Sequence, residues 1–244
     1  MKKIVLLSGV SAALLAINAN AAEFSPYFSL KGSIAQIQND TNAFSDYSYG
    51  GVTHHINTLS DKTHKDSVFG LKAAIGASQE LKYGKLRGEL EFGTSESSKE
   101  HNNFPFKISN DYVHDFDIKT SFYSAMLNLY YDIDTGTKFT PYIGGGIGYA
   151  RVKSKAAVTG DTPFGAIDMN SSTHENNFAW QLGFGVSYQV TDNIDIDLGY
   201  RYSDYGNAKD SVATPIPGLG KTLYADAKYS ITSHEALLGL RYSF

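Results

Sequence analysis

The segment 234–244 alternates strictly. Ala236, Leu238, Leu240, Tyr242 and Phe244 share one parity; Glu235, Leu237, Gly239, Arg241 and Ser243 share the other. A strand points successive side chains to opposite faces. This segment is therefore a strand with one apolar face, closed by two aromatics, and one face that is polar except at Leu237. The same period of two recurs upstream. In 27–38, Phe28, Leu30 and Ile34 oppose Ser29, Lys31 and Ser33. In 67–81, Phe69, Leu71, Ala73, Ile75 and Ala77 oppose Gly70, Lys72, Ala74 and Gly76. In 85–95, Leu86, Gly88, Leu90 and Phe92 oppose Arg87, Glu89 and Glu91. Segment 118–132 carries Tyr123, Ala125, Leu127, Leu129 and Tyr131 on one face, and 139–153 sets Ile143, Ile147 and Tyr149 against Gly144, Gly146 and Gly148. The pattern is nearly ideal in 176–190, from Phe178 and Trp180 to Tyr188 and Val190 against Gln181, Gly183, Gly185, Ser187 and Gln189. In 193–205, Ile194, Ile196, Leu198, Tyr200 and Tyr202 oppose Asp195, Asp197, Gly199 and Arg201.

That makes eight strands, the last running from about 229, and their connectors alternate in length. Residues 82–84, 133–138 and 191–192 are short; 39–66, 96–117, 154–175 and 206–228 are long. Short turns at one end and long loops at the other are the asymmetry of an outer-membrane barrel. The fold predicted is all-β: an eight-stranded antiparallel transmembrane up-and-down barrel with short periplasmic turns and four long extracellular loops. A soluble lipocalin-like barrel would show the same alternation with its apolar face inward. The sorted loops, the terminal Phe244 and the aromatics near strand ends favour the membrane version.

The N-terminus changes the compartment. Lys2 and Lys3 precede an apolar run from Ile4 to Ile17, and Ala19-Asn20-Ala21 is a small-x-small cleavage signal. Residues 1–22 read as a cleaved secretory signal peptide and 23–244 as the barrel domain. Beyond it no stretch reaches the ~18 apolar residues of a spanning helix, so insertion must use a closed set of strands. The expected location is the bacterial outer membrane.

Composition then removes function classes. With no cysteine there is no disulfide framework, thiol catalysis or thiolate metal site. Without Lys2 and Lys3 the chain keeps 19 basic and 25 acidic residues, a formal charge of −6. An acidic exported chain is a poor nucleic-acid binder, and none is expected as a partner.

The run Phe139-Thr-Pro-Tyr-Ile-Gly-Gly-Gly-Ile-Gly-Tyr149, the pair Gly183-Phe-Gly-Val-Ser-Tyr188 and Asp197-Leu-Gly-Tyr-Arg-Tyr202, and Leu238-Gly-Leu-Arg-Tyr-Ser-Phe244 resemble strands of a known family. They are similar to the opacity-type surface proteins and related surface antigens of Gram-negative pathogens and endosymbionts and, more distantly, to the transmembrane domain of OmpA. The resemblance implies a surface-exposed antigenic barrel whose loops contact host molecules. It carries over no binding residue, because loops 1, 2 and 4 match no motif.

Ten charged residues fall on the non-lipid faces: Lys31, Lys72, Arg87, Glu89, Glu91, Asp195, Asp197, Arg201, Glu235 and Arg241. Eight strands enclose a space that side chains fill, and buried charges must be paired or wet. Five cations against five anions predict an internal network; a charge-lined pore is the alternative. Tyr242 and Phe244 are the expected C-terminal signal to the barrel-assembly machinery. Outer-membrane lipids and lipopolysaccharide are the expected surroundings, and host surface molecules the expected loop partners. Phe44, Tyr47, Tyr49, Phe104, Phe106 and Tyr112 are candidate loop contacts, as exposed aromatics often anchor binding.

No cofactor, metal or catalytic residue is expected. His54, His55, His64, His101, His114 and His174 lie in loops without zincin spacing. His234 cannot share a strand face with both Ser233 and Glu235. Asp192-Asn-Ile-Asp-Ile-Asp197 lacks the central Gly and final Glu of a calcium loop, and Gly144-Gly-Gly146 lacks the helix of a phosphate loop. A surface antigen or adhesin is the expected function; a narrow porin and a structural envelope protein are the alternatives.

Overall fold

A computed structural model describes residues 24–49, 52–105, 113–162, 165–216 and 221–244. The expected signal segment, 1–22, lies outside the described residues, as do Phe106 and Tyr112. Nine strands form: β1 (Phe24–Tyr49), β2 (Val52–Leu81), β3 (Gly84–Ser95), β4 (Ser98–Pro105), β5 (Val113–Ile133), β6 (Phe139–Thr162), β7 (Gly165–Gln189), β8 (Ile194–Ile216) and β9 (Lys221–Ser243). β3 and β4 are two halves of one stave, since both pair with β5 on either side of Glu96 and Ser97. All pairs are antiparallel neighbours, and β3 closes the order onto β5. The predicted eight-stave up-and-down barrel is the architecture observed.

The turns are built by local polar chemistry. Asp134 Oδ1 accepts the Gly136 N–H at 2.9 Å, and Gly136 takes φ 66°; only glycine adopts that region without penalty. Thr191 Oγ1 accepts the Ile194 N–H at 3.1 Å. On the other side β8 bulges between Asp204 and Asn207, with Gly206 at φ 77°. Tyr205, at the start of the bulge, keeps the inward parity of Arg201 and Ser203 and stacks on Phe122 at 5.6 Å.

A belt of large apolar side chains faces outward. Leu71, Ile143, Leu182, Leu198 and Leu238 are each about 60% exposed. Aromatics fringe it: Tyr123, Tyr149, Phe178, Trp180 and Tyr202 at the long-connector end, Phe139, Tyr188, Tyr242 and Phe244 at the short-turn end. An unbroken belt this apolar is stable only against lipid.

Above the belt the code inverts. At its outer edge the outward positions become Gln36, Ser67, Ser121, Arg151, Asn176 and Asp204, while the inward ones become Ile37, Val68, Phe122, Val152, Tyr205 and Ile231. These inward residues belong to one apolar cluster with Ala35, Met126, Ala150 and Ala179. Outside the bilayer the wall is wet, so the apolar face turns inward and caps the lumen.

The structure also pairs chain that alternation did not predict as strand. Pairing of β1 with β2 runs to Tyr49↔Val52, β6 with β7 to Thr162↔Gly165, and β8 with β9 to Ile216↔Lys221. By contrast the β7–β8 ladder stops at Trp180↔Asp204 and β2–β3 at Gly70↔Ser95. Beyond the membrane the barrel therefore divides into two four-stranded sheets, β2-β1-β9-β8 and β4-β5-β6-β7. At one seam Ser98 Oγ donates to Asp66 Oδ2 at 2.7 Å.

Candidate functional site

The lumen holds three tiers of charge. In the central tier Lys31 Nζ reaches Glu89 at 2.5 Å and Glu91 at 2.8 Å. Arg201 grips Glu91 with two donors, at 2.7 and 3.1 Å, the bidentate geometry that guanidinium groups favour. Glu89 also accepts from Tyr27 Oη at 3.2 Å and Asn128 Nδ2 at 3.1 Å. Toward the short turns, Arg87 meets Asp132 at 2.7 Å and lies between the Tyr130 and Tyr142 rings, 5.0 and 5.1 Å from their centroids. Arg241 reaches Asp195 at 3.1 Å and Asp197 at 3.5 Å, and Ser187 Oγ donates to Asp197. Toward the apolar cap, Lys72 pairs with Glu235 at 2.8 Å and donates to Ser33 Oγ. Tyr205 Oη donates to the same Glu235 at 3.0 Å.

All ten charged residues singled out in the sequence stand in this lumen. An eleventh, Asp132, joins them, so the expected five against five becomes five cations against six carboxylates. Its signal was parity: it follows Asn128 and Tyr130 on the inward face of β5. Tyr27, Asn128, Tyr130, Tyr142 and Gln181 complete the packing and were likewise not singled out. Glycine gives them room. A Cβ on Gly185 would stand 2.5 Å from the Tyr142 ring. Among the described residues, voids of about 20 Å³ lie beside Arg87 and Asp197 and beside Lys72 and Glu235. Each has room for about one water molecule.

The other singled-out positions lie elsewhere. Tyr242 and Phe244 meet edge to face at 5.2 Å on the outer surface, and the Phe244 N–H donates to the Pro26 carbonyl. Phe44, Tyr47, Tyr49 and Phe104 fall within paired strands, not irregular loops; Phe44 stands opposite Thr58 and Phe104 opposite His114. His234 faces outward and shares a 2.5 Å hydrogen bond with Tyr200 Oη. Among the described residues no group of three or more His, Asp or Glu side chains is placed to hold a metal ion.

Residues 5–244 match the family model described as "Outer membrane protein beta-barrel domain". Over 120 residues the chain is 41% identical to the outer membrane protein PagN of Salmonella typhimurium, a match covering 49% of this chain and 48% of PagN. The chain thus spans about half the length of that relative. A Rickettsia conorii protein named "Putative adhesin RC1281" is 29% identical over 263 residues, covering 99% of both. Among solved structures, the outer membrane protein OprG from Pseudomonas aeruginosa shares the fold, with TM-score 0.51 and 17% identity over 90% of this chain and 96% of OprG. With its lipid-facing belt and filled lumen, this chain belongs to the outer membrane protein beta-barrel family and resides in the bacterial outer membrane.

Proposed function

We propose that this protein is an adhesin-type surface barrel that contacts host molecules through the two sheets standing above the membrane. One observation carries the reading. A tilted strand needs about 9–11 residues to cross a bilayer, yet β1 and β2 run 26 and 30 residues. The excess is folded chain outside the membrane, and the filled lumen leaves that exterior as the functional surface. The name of the Rickettsia conorii relative supports the same direction.

In this reading the barrel is not an enzyme, the internal ion pairs are a structural plug, and residues 1–22 are removed on export. Tyr242 and Phe244 deliver the chain to the assembly machinery. The test replaces residues 42–61 by Asn-Gly, which closes Thr41↔Lys62 with a tight hairpin; matching trims shorten the other three hairpins. The barrel should keep its heat-modifiable migration on gels, while adherence of expressing bacteria to host cells falls. Full adherence with all four hairpins trimmed would sink the proposal.

A further inference from the structure

Register places three lysines in one row across β4, β5 and β6: Lys99 opposite Lys119, and Lys119 opposite Lys155. Closer to the lipid belt, Lys153 stands opposite Ser121 and Arg151 opposite Tyr123. Lys119, Arg151 and Lys155 are exposed, Lys153 is half-buried, and all four share the outward parity of Tyr123 and Tyr149. On β7 the facing positions are Ser172, His174 and Asn176. No acidic residue stands directly opposite Lys119, Arg151, Lys153 or Lys155 in these ladders, Asp117 lies one outward rung beyond Lys119, and none of the four cations forms an ion pair among the described residues.

Like charges directly opposite on one sheet face are destabilising. Strands lie about 4.8 Å apart and same-face residues about 7 Å apart, so the flexible cations Lys119, Arg151, Lys153 and Lys155 can converge on one dianionic group. The patch starts at the Tyr123 and Tyr149 girdle, the depth of lipid headgroups. We propose that the outward face of β4–β6 holds the phosphorylated headgroup of an outer-leaflet lipopolysaccharide. Soluble sulfated glycans offer the same sign of charge. A patch flush with the lipid belt, below the tips of both sheets, favours the membrane-borne anion instead. This site is independent of host contact.

The test titrates folded wild type and the K119Q/K153Q/K155Q variant, in zwitterionic detergent, with lipopolysaccharide, dephosphorylated lipopolysaccharide and a soluble sulfated polysaccharide. Wild type should bind lipopolysaccharide at least about tenfold more tightly than the variant. Removing the phosphates should erase that difference. Equal affinities, undiminished binding after dephosphorylation, or tighter binding of the sulfated polysaccharide would each overturn the proposal. Without lipopolysaccharide the variant should melt no lower than wild type, because only repulsion has been removed. A lower melting temperature would make the lysines structural and also overturn it.

Discussion

Arg201 and Glu91 show what a buried charge costs and returns. Both are almost fully buried, and Glu91 is held by Arg201 and by Lys31. Replacing Arg201 with Met leaves Glu91 with a single cation, and removing one partner of a buried pair costs roughly 3–5 kcal/mol. We expect Arg201→Met to lower the urea-unfolding free energy in lipid by that order. Adding Glu91→Gln should recover part of the loss, since the orphaned carboxylate is then neutral. If the double variant is as unstable as the sum of the two single ones, the pair does not act as a unit. Raising salt from ~0.1 to ~1 M should hardly change wild-type stability, because buried pairs are poorly screened.

At the scale of the strand, alternation carries most of the architecture. The lipid face of β7, from Phe178 to Tyr188, and the inward charges of β3 are explicit in residue order. Leu198 tests the facing directly: it is 58% exposed on the belt of β8. A lipid-facing midplane Arg costs roughly 2–4 kcal/mol, so Leu198→Arg should reduce insertion into bilayers, read from the emission of the single Trp180. Unimpaired insertion would mean that the outer face is misassigned. The outer halves of the hairpins were not legible. Segments such as 39–49 and 165–177 are rich in Asn, Ser, Thr and Asp and carry no sustained apolar parity; their pairing follows from continuation of ladders begun in the membrane. The apolar cap was missed for a related reason. Ile37, Val68 and Ile231 sit on the parity that lower down carries charge, so a single polarity per face hid the switch.

For the whole molecule the question is whether anything passes through. Three tiers of ion pairs and an apolar layer stand in series across the lumen. Purified protein in planar bilayers should therefore show no steady discrete channels; regular unitary steps would assign it to transport. Eight staves enclose just enough space for side chains, and here Tyr130, Tyr142 and Arg87 fill it by stacking. The rigid wall and the divided top then have separate tasks, one holding the chain in lipid and the other presenting it to the surroundings.

The exchange of inward and outward polarity at the outer rim works as a waterline written into β1, β2, β5, β6 and β8. A two-residue insertion below it keeps the facing of each side chain, yet lifts lipid residues into water along that strand. The same insertion at a hairpin tip moves nothing in the membrane. Length variation among relatives should therefore gather at the tips, and the segments between Tyr27 and Ile37, or Val68 and Gln79, should hold their residue count while the tips diverge.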